Sequence, residues 1–139
     1  MLRVLDDELD FDVDHVCYYQ SKPFSGISIE EGDGVLLSEI PYQNGLLHGV
    51  GRDWFPTGEP HGVSTYQEGV LHGQLQEWDR QGQLRREAQY EHGVKTKETR
   101  WDETGTLSHQ YEISPSDSLY DHLNHLRERT RADSNSLDE

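Results

Sequence analysis

The chain is expected to be mostly β: a single elongated antiparallel β-meander of hairpin repeats about 24 residues long, capped by a C-terminal α-helix. Three observations predict this. The first is a repeat. Tyr42-Gln43-Asn44-Gly45-Leu46-Leu47-His48-Gly49 returns as Tyr66-Gln67-Glu68-Gly69-Val70-Leu71-His72-Gly73, 24 positions later, and Trp54/Trp78 and Gly58/Gly82 keep the same offset. The second is punctuation: each unit carries two glycine-bearing turns around runs of about six residues, too short for helices. The third is alternation. Leu84, Arg86, Ala88 and Tyr90 interleave with Arg85, Glu87 and Gln89, the period of a half-buried strand with Arg85 on its exposed side.

From Leu9 to Val13 acidic and apolar residues alternate, which predicts an edge strand carrying Asp10, Asp12 and Asp14 on one face. Closely spaced charge protects such an edge from other chains, and the same strip suits a basic partner. The three aspartates lack the central glycine and closing glutamate of a calcium loop, so no metal is expected there. Tyr19, Phe24, Ser25, Gly26 and Gly34 read as a worn first unit, and Tyr90, Gly93, Trp101 and Gly105 as a worn last one, placing the repeats at about 19–111. Asn44-Gly45 and Glu68-Gly69 sit where a tight hairpin needs positive φ at glycine. Pro56-Thr57-Gly58 and Arg80-Gln81-Gly82 make the opposite turns.

His48 and His72 are expected to bond backbone beside Gly49 and Gly73. Two strand spacings, roughly 10 Å, would separate them, too far to share a zinc. After Tyr111 the period stops. Ser114-Pro115-Ser116-Asp117 predicts a helix from Ser116 to about Thr130, with Leu119, Leu123 and Leu126 on one face, covering the otherwise open last strand. Residues 1–131 form one repeat-built domain in this reading, and 132–139 a disordered tail.

The glycine and aromatic positions resemble the MORN-type repeat. The closer likeness is to its bacterial variant, whose units read aromatic-x-x-Gly-x-x-x-Gly, aromatic, x-x-x-Gly. The matching residues are Tyr42, Gly45, Gly49, Trp54 and Gly58, then Tyr66, Gly69, Gly73, Trp78 and Gly82. The resemblance covers Tyr19 to about Tyr111. Bacterial MORN-variant proteins of this size look like antitoxin or immunity proteins, encoded beside a toxin and neutralising it by tight binding.

Charge points the same way independently. The 139 residues include 27 acidic and 12 basic ones, a net charge of −15. That excludes simple nucleic-acid binding and attraction to anionic lipid, and suits the capture of something basic. Nucleases and nucleobase deaminases are basic because their substrates are polyanions, so a toxin of that kind is the expected partner. Hydrophobic residues make up 32% and the mean hydropathy is −0.92, which suits a thin sheet wet on much of both faces. No basic region followed by an apolar run opens the sequence, so no secretory leader is expected; there is no run of about 20 apolar residues, and the one cysteine, Cys17, reads as a buried or edge-strand thiol. A cytoplasmic protein is expected.

No cofactor and no catalytic set is expected: the glycine pairs Gly32-Asp33-Gly34 and Gly49-Val50-Gly51 open no helix that would cradle phosphate. The candidate toxin-binding residues are the carboxylates of Asp10, Asp12, Asp14, Asp53 and Glu77 for steering, with Trp54 and Trp78 for central contact. A MORN-type adaptor joining cellular proteins, with no toxin partner, is the runner-up. A repeat-built enzyme ranks last.

Overall fold

Glycine-bearing turns lay out the sheet. Along one side run three two-residue turns, Asn44-Gly45, Glu68-Gly69 and His92-Gly93, with φ of 51° and 84°, 49° and 92°, and 50° and 81°. Positive φ at both positions is what a type I′ hairpin needs, and Gly45 and Gly69 have it as expected. On the opposite side lie Asp33-Gly34 and three wider loops, closed by hydrogen bonds from Phe55 N–H to Glu59 O, Asp79 N–H to Gln83 O and Asp102 N–H to Thr106 O. Asp79 and Asp102 clamp their own loops: each Oδ1 accepts two backbone N–H groups, from Gln81 and Gln83 and from Thr104 and Thr106.

The computed structural model describes residues 1–137. In chain order it contains β1 (Arg3–Leu5), a 3₁₀ turn (Asp6–Glu8), β2 (Asp10–Phe11), β3 (Cys17–Tyr19), β4 (Lys22–Pro23), β5 (Gly26–Gly32), β6 (Val35–Gln43), β7 (Leu46–Leu47), β8 (Gly49–Trp54), β9 (Pro60–Gln67), β10 (Val70–Trp78), β11 (Leu84–Glu91), β12 (Val94–Trp101), β13 (Leu107–Glu112) and α1 (Tyr120–Leu137). Ten strands make one sheet in the order β1-β5-β6-β8-β9-β10-β11-β12-β13, with β7 paired to β6. From β5 onward it is the expected antiparallel meander.

Successive units are tied together at their turns. The amide of each turn glycine donates to a carbonyl of the unit before it: Gly45 to Phe24, Gly69 to Leu47, and Gly93 to Leu71, at 2.8–2.9 Å. A side chain at these positions would have to share that left-handed backbone, which only glycine adopts freely.

The N-terminal region departs from the single meander. β1 adds to the sheet edge parallel to β5, and β2-β3-β4 form a separate three-stranded sheet. Between them lies the core cluster: Val4, Leu9, Cys17 and Phe24, with Tyr19 and Tyr42 packed against it. Phe24 stands 6.0 Å from Tyr19 and 5.9 Å from Tyr42, ring centre to ring centre. The physical reason for the departure is burial. A thin sheet buries little by itself, so the chain folds its few adjacent apolar side chains over the first unit. Cys17 is wholly buried there, and desolvation pushes its thiol up to about 11.

The C-terminal helix also differs from expectation. Neither Ser114 nor Ser116 caps it: their hydroxyls meet at 2.8 Å, the Asp117 carboxylate accepts the Ser114 N–H at 2.7 Å to form a turn of its own, and the helix starts at Tyr120. It runs to Leu137, through residues read as a tail; 138–139 lie outside the described residues. Leu123 is fully buried and Leu119 is 51% exposed. The helix is clamped to the hairpin side rather than laid over the last strand: Arg127 makes two bonds to Glu91, at 2.7 and 2.8 Å, and Thr130 Oγ1 meets His92 Nε2 at 3.4 Å. Apart from Tyr111, the residues of β13 stay exposed.

Arg85 is not on an open position either. Its Nε donates to the Trp101 carbonyl at 2.8 Å across β12, so removing it loses a hydrogen bond between strands.

Candidate protein-binding face

One row of residues crosses the sheet in register: Glu30, Ser38, Asp53, Gly62, Glu77, Arg86, Arg100 and His109, each directly opposite the next from β5 to β13. Residues opposite one another in a ladder project to the same face. The row is therefore one line of side chains on one face. Its left half is acidic and its right half basic. A second row beside it, Gly51, Ser64, Leu75, Ala88, Glu98 and Tyr111, is where the sheet's own burial is deepest, with Ala88 1% and Glu98 2% exposed.

The basic half is organised by Glu98. Its carboxylate accepts Arg86 Nε at 2.6 Å and Lys95 Nζ at 3.2 Å, with Arg100 Nε at 3.2 Å and His109 Nε2 at 3.3 Å. Burial alone would raise its pKa, but the hydrogen bonds from Arg86, Arg100 and Lys95 outweigh that and hold it at about 2. Arg86 also reaches Glu77 Oε1 at 2.8 Å and the Tyr90 hydroxyl at 3.0 Å. These groups satisfy one another, so this half reads as structure.

The acidic half is open. A groove of about 560 Å³ runs over β5 to β10, with Glu30, Asp53, Glu77, Trp54, Phe55 and Tyr66 among its walls. Asp53 Oδ1 is buried with no hydrogen-bond partner among the described residues, while Oδ2 has only His61 Nδ1 at 3.6 Å. Aromatic walls with carboxylates inside them can hold a cationic side chain: the rings take its stem and the carboxylates its head.

The structure brings together three of the seven residues singled out from sequence. Asp53, Trp54 and Glu77 share this groove. Trp78 is half-buried opposite Leu84 and does not line it. Asp10, Asp12 and Asp14 belong to the small sheet and its turn. Asp12 is engaged there: Oδ1 accepts the N–H of Val16 and of Asp14, both at 2.9 Å, and Oδ2 the Tyr18 hydroxyl at 3.2 Å. The Val16 bond leads in holding its carboxyl below the ordinary value. Asp10 and Asp14 are exposed. His72 does not bond the backbone beside Gly73; its Nδ1 accepts the His92 N–H of the next unit at 2.9 Å. His48 makes no side-chain hydrogen bond among the described residues.

Glu30, Gly62, Tyr66 and Glu98 were not singled out from sequence as site residues. A signal existed: Asp53 and Glu77 are 24 residues apart, as are Gly62 and Arg86, and Tyr66 and Tyr90. Among the described residues no group of three or more His, Cys, Asp or Glu is placed to hold a metal ion. No helix among them is long and apolar enough to cross a membrane.

Comparison with known proteins bears mainly on the repeats. A family model described as MORN repeat variant matches residues 71–92, from β10 through β11 to the His92-Gly93 turn, which supports a MORN-repeat protein built as a scaffold for protein–protein interaction. No curated protein matches the chain. Among solved structures, one of accessory secretory protein 1, 2 and 3 from Streptococcus pneumoniae is similar at 10% identity, with a TM-score of 0.38, over 78% of this chain and 20% of that one. Another, of a GtfA/B complex bound to UDP and GlcNAc, is similar at 19% identity, with a TM-score of 0.34, over 79% of this chain and 23% of that one. The chain thus spans about a fifth of the length of these structures.

Proposed function

We propose that this chain is an antitoxin or immunity protein that binds a cognate basic toxin domain, a nuclease or a nucleobase deaminase, and occludes it. The observation that carries this reading is the open acidic groove over β5 to β10, with an unsatisfied carboxylate oxygen in its wall, on a chain of net charge −15. Among the described residues, the other strong charge cluster on that face, the one around Glu98, is already paired. The repeat match supplies the rest of the support, because a MORN-type meander is a surface for protein partners.

In this reading the protein works in the cytoplasm by stoichiometric occupation. It needs no cofactor, no metal and no turnover. The long-range negative field speeds encounter with a basic partner, and the groove residues hold it once docked. The small-sheet carboxylates Asp10 and Asp14 contribute to the field and not to the contact. An adaptor with no toxin partner draws on the same repeat match, and differs only in what fills the groove.

The deciding assay titrates the purified protein into the toxin encoded beside it and follows residual toxin activity, with and without chelator. A linear fall ending near one equivalent, unchanged by chelator, is the expected result. Full inhibition far below one equivalent would mean turnover, and no inhibition at any ratio would leave the adaptor.

A further inference from the structure

The groove lies over the place where the repeat breaks its own pattern. In the second unit, Glu77 on β10 stands opposite Arg86 on β11, whose guanidinium reaches the Glu77 carboxylate at 2.8 Å and the Tyr90 hydroxyl at 3.0 Å. One period earlier, the same three places hold Asp53, Gly62 and Tyr66. Carboxylate and tyrosine are kept; the arginine has become glycine. Asp53 stands opposite Gly62 on β8 and β9 just as Glu77 stands opposite Arg86. From the other side, Glu77 lies opposite Gly62 as well. The space above Gly62 is therefore flanked by carboxylates on both neighbouring strands, with no arginine or lysine from the strand between them; His61 of that strand stands 3.6 Å from Asp53 Oδ2.

Two further observations mark this space as more than a cluster of acids. Asp53 Oδ1 is buried over Gly62 with no donor among the described residues, while the Asp53 side chain as a whole is 47% exposed, so an incoming cation meets the rest of that carboxylate as Arg86 meets Glu77. Gly62 itself has no left-handed backbone to require glycine. It is explained by room: a Cβ there would lie 2.7 Å from Asp53 Oδ1. Glycine inside a strand weakens it and marks a place of close approach, made here by the Asp53 carboxylate. Arg52 also lines the groove, one register row away, opposite Glu39 and Val63.

We infer that the slot over Gly62 takes an arginine side chain of the protein partner, its guanidinium standing where Arg86 stands in the next unit. This deepens the protein-binding reading and rests on it. Arginine fits better than lysine, because a planar fork bonds two carboxylates on separate strands while an ammonium presents one point of charge. Glu77 is held by Arg86 through Oε1, and the incoming group shares that carboxylate with it. Tyr66 offers its hydroxyl, as Tyr90 does to Arg86. The counterpart of Glu98 in this unit is Leu75, which gives the slot an apolar wall in place of a third carboxylate. Trp54 and Phe55 border the stem of the side chain; a guanidinium already rests over the Phe55 ring, that of Arg80 at 5.4 Å.

The test titrates N-acetyl-arginine-methylamide into the isotope-labelled full chain and follows the Gly62 amide and the Trp54 indole N–H by nuclear magnetic resonance. The neutral isostere, the citrulline derivative, and the lysine derivative serve as controls. The expected result is saturable movement of both signals with arginine, at least about tenfold weaker binding of citrulline, and weaker binding of lysine. Gly62→Arg fills the slot from within and should abolish the response; Asp53→Asn should weaken it by about tenfold or more. If Gly62→Arg does not fold, Asp53→Asn decides. No saturable movement at Gly62, an equal response to citrulline, or a response unchanged in Asp53→Asn would each overturn the slot. Because the probe is a free arginine derivative, its failure sinks the slot and leaves the toxin titration to stand. Saturable binding with a failed toxin titration sinks the toxin reading and leaves the slot.

Discussion

Replacing Glu98 with glutamine should be among the most damaging single substitutions in the meander, at about 3 kcal/mol of unfolding free energy. The carboxylate is 2% exposed and is the shared acceptor of Arg86, Lys95 and Arg100, with His109 beside it. A neutral amide of the same shape leaves those cations without their counter-charge; Arg86, only 20% exposed in its side chain, loses most. The pH dependence follows from the same geometry. The folded carboxyl ionises at about 2 against an ordinary value of 4.5. Its contribution is thus fully present above pH 4.5 and lost as pH falls through about 2, since protons bind the unfolded chain first. Glutamine does not titrate there. Denaturant melts of the two proteins should therefore differ widely at pH 7 and converge toward pH 2. A constant gap across that range would mean that Glu98 acts through packing alone.

Gly45→Ala should cost about 3 kcal/mol, and Gly69→Ala about 1–2 kcal/mol, although the two glycines hold the same repeat position. Both have positive φ, 84° and 92°, so both variants strain the backbone. Only Gly45 is also boxed in: a Cβ there would lie 2.5 Å from Val16 Cγ1 and 2.9 Å from the Cys17 carbonyl oxygen. At Gly69 the nearest atom is Leu46 Cδ2 at 3.6 Å, an ordinary contact. Thermal and denaturant melts of the two variants check the ranking. Equal losses would mean that the small sheet does not bear on the first unit as described.

That contrast also shows what a sequence of this kind discloses. The turns were legible because Asn44-Gly45 and Glu68-Gly69 need a backbone that glycine supplies, a local requirement written in adjacent letters. The strands followed, since little but a hairpin fits six residues between such turns. The small sheet was not legible. Val4, Leu9, Cys17 and Phe24 have no common period, and only the folded chain brings them together. The helix start was missed because Ser114 and Asp117 satisfy each other before a helix begins. For the site, Asp53, Trp54 and Glu77 were found through charge and spacing. Gly62 escaped, because what matters there is a side chain that the repeat leads one to expect and the chain lacks. Comparing units position by position, with Gly62 set against Arg86, is the step that exposes it.

The role of the face is tested most directly by carboxylate footprinting. The protein, alone and in complex with the toxin encoded beside it, is labelled with a carbodiimide and glycine ethyl ester, and each carboxylate's modification is read by mass spectrometry. Glu30 and Asp53 should be shielded in the complex, while Asp10 and Asp14 on the small sheet and Glu128 on the helix keep their reactivity. Shielding confined to Asp10 and Asp14, with Glu30 and Asp53 labelled as in the free protein, would contradict the assignment of the groove as the binding face.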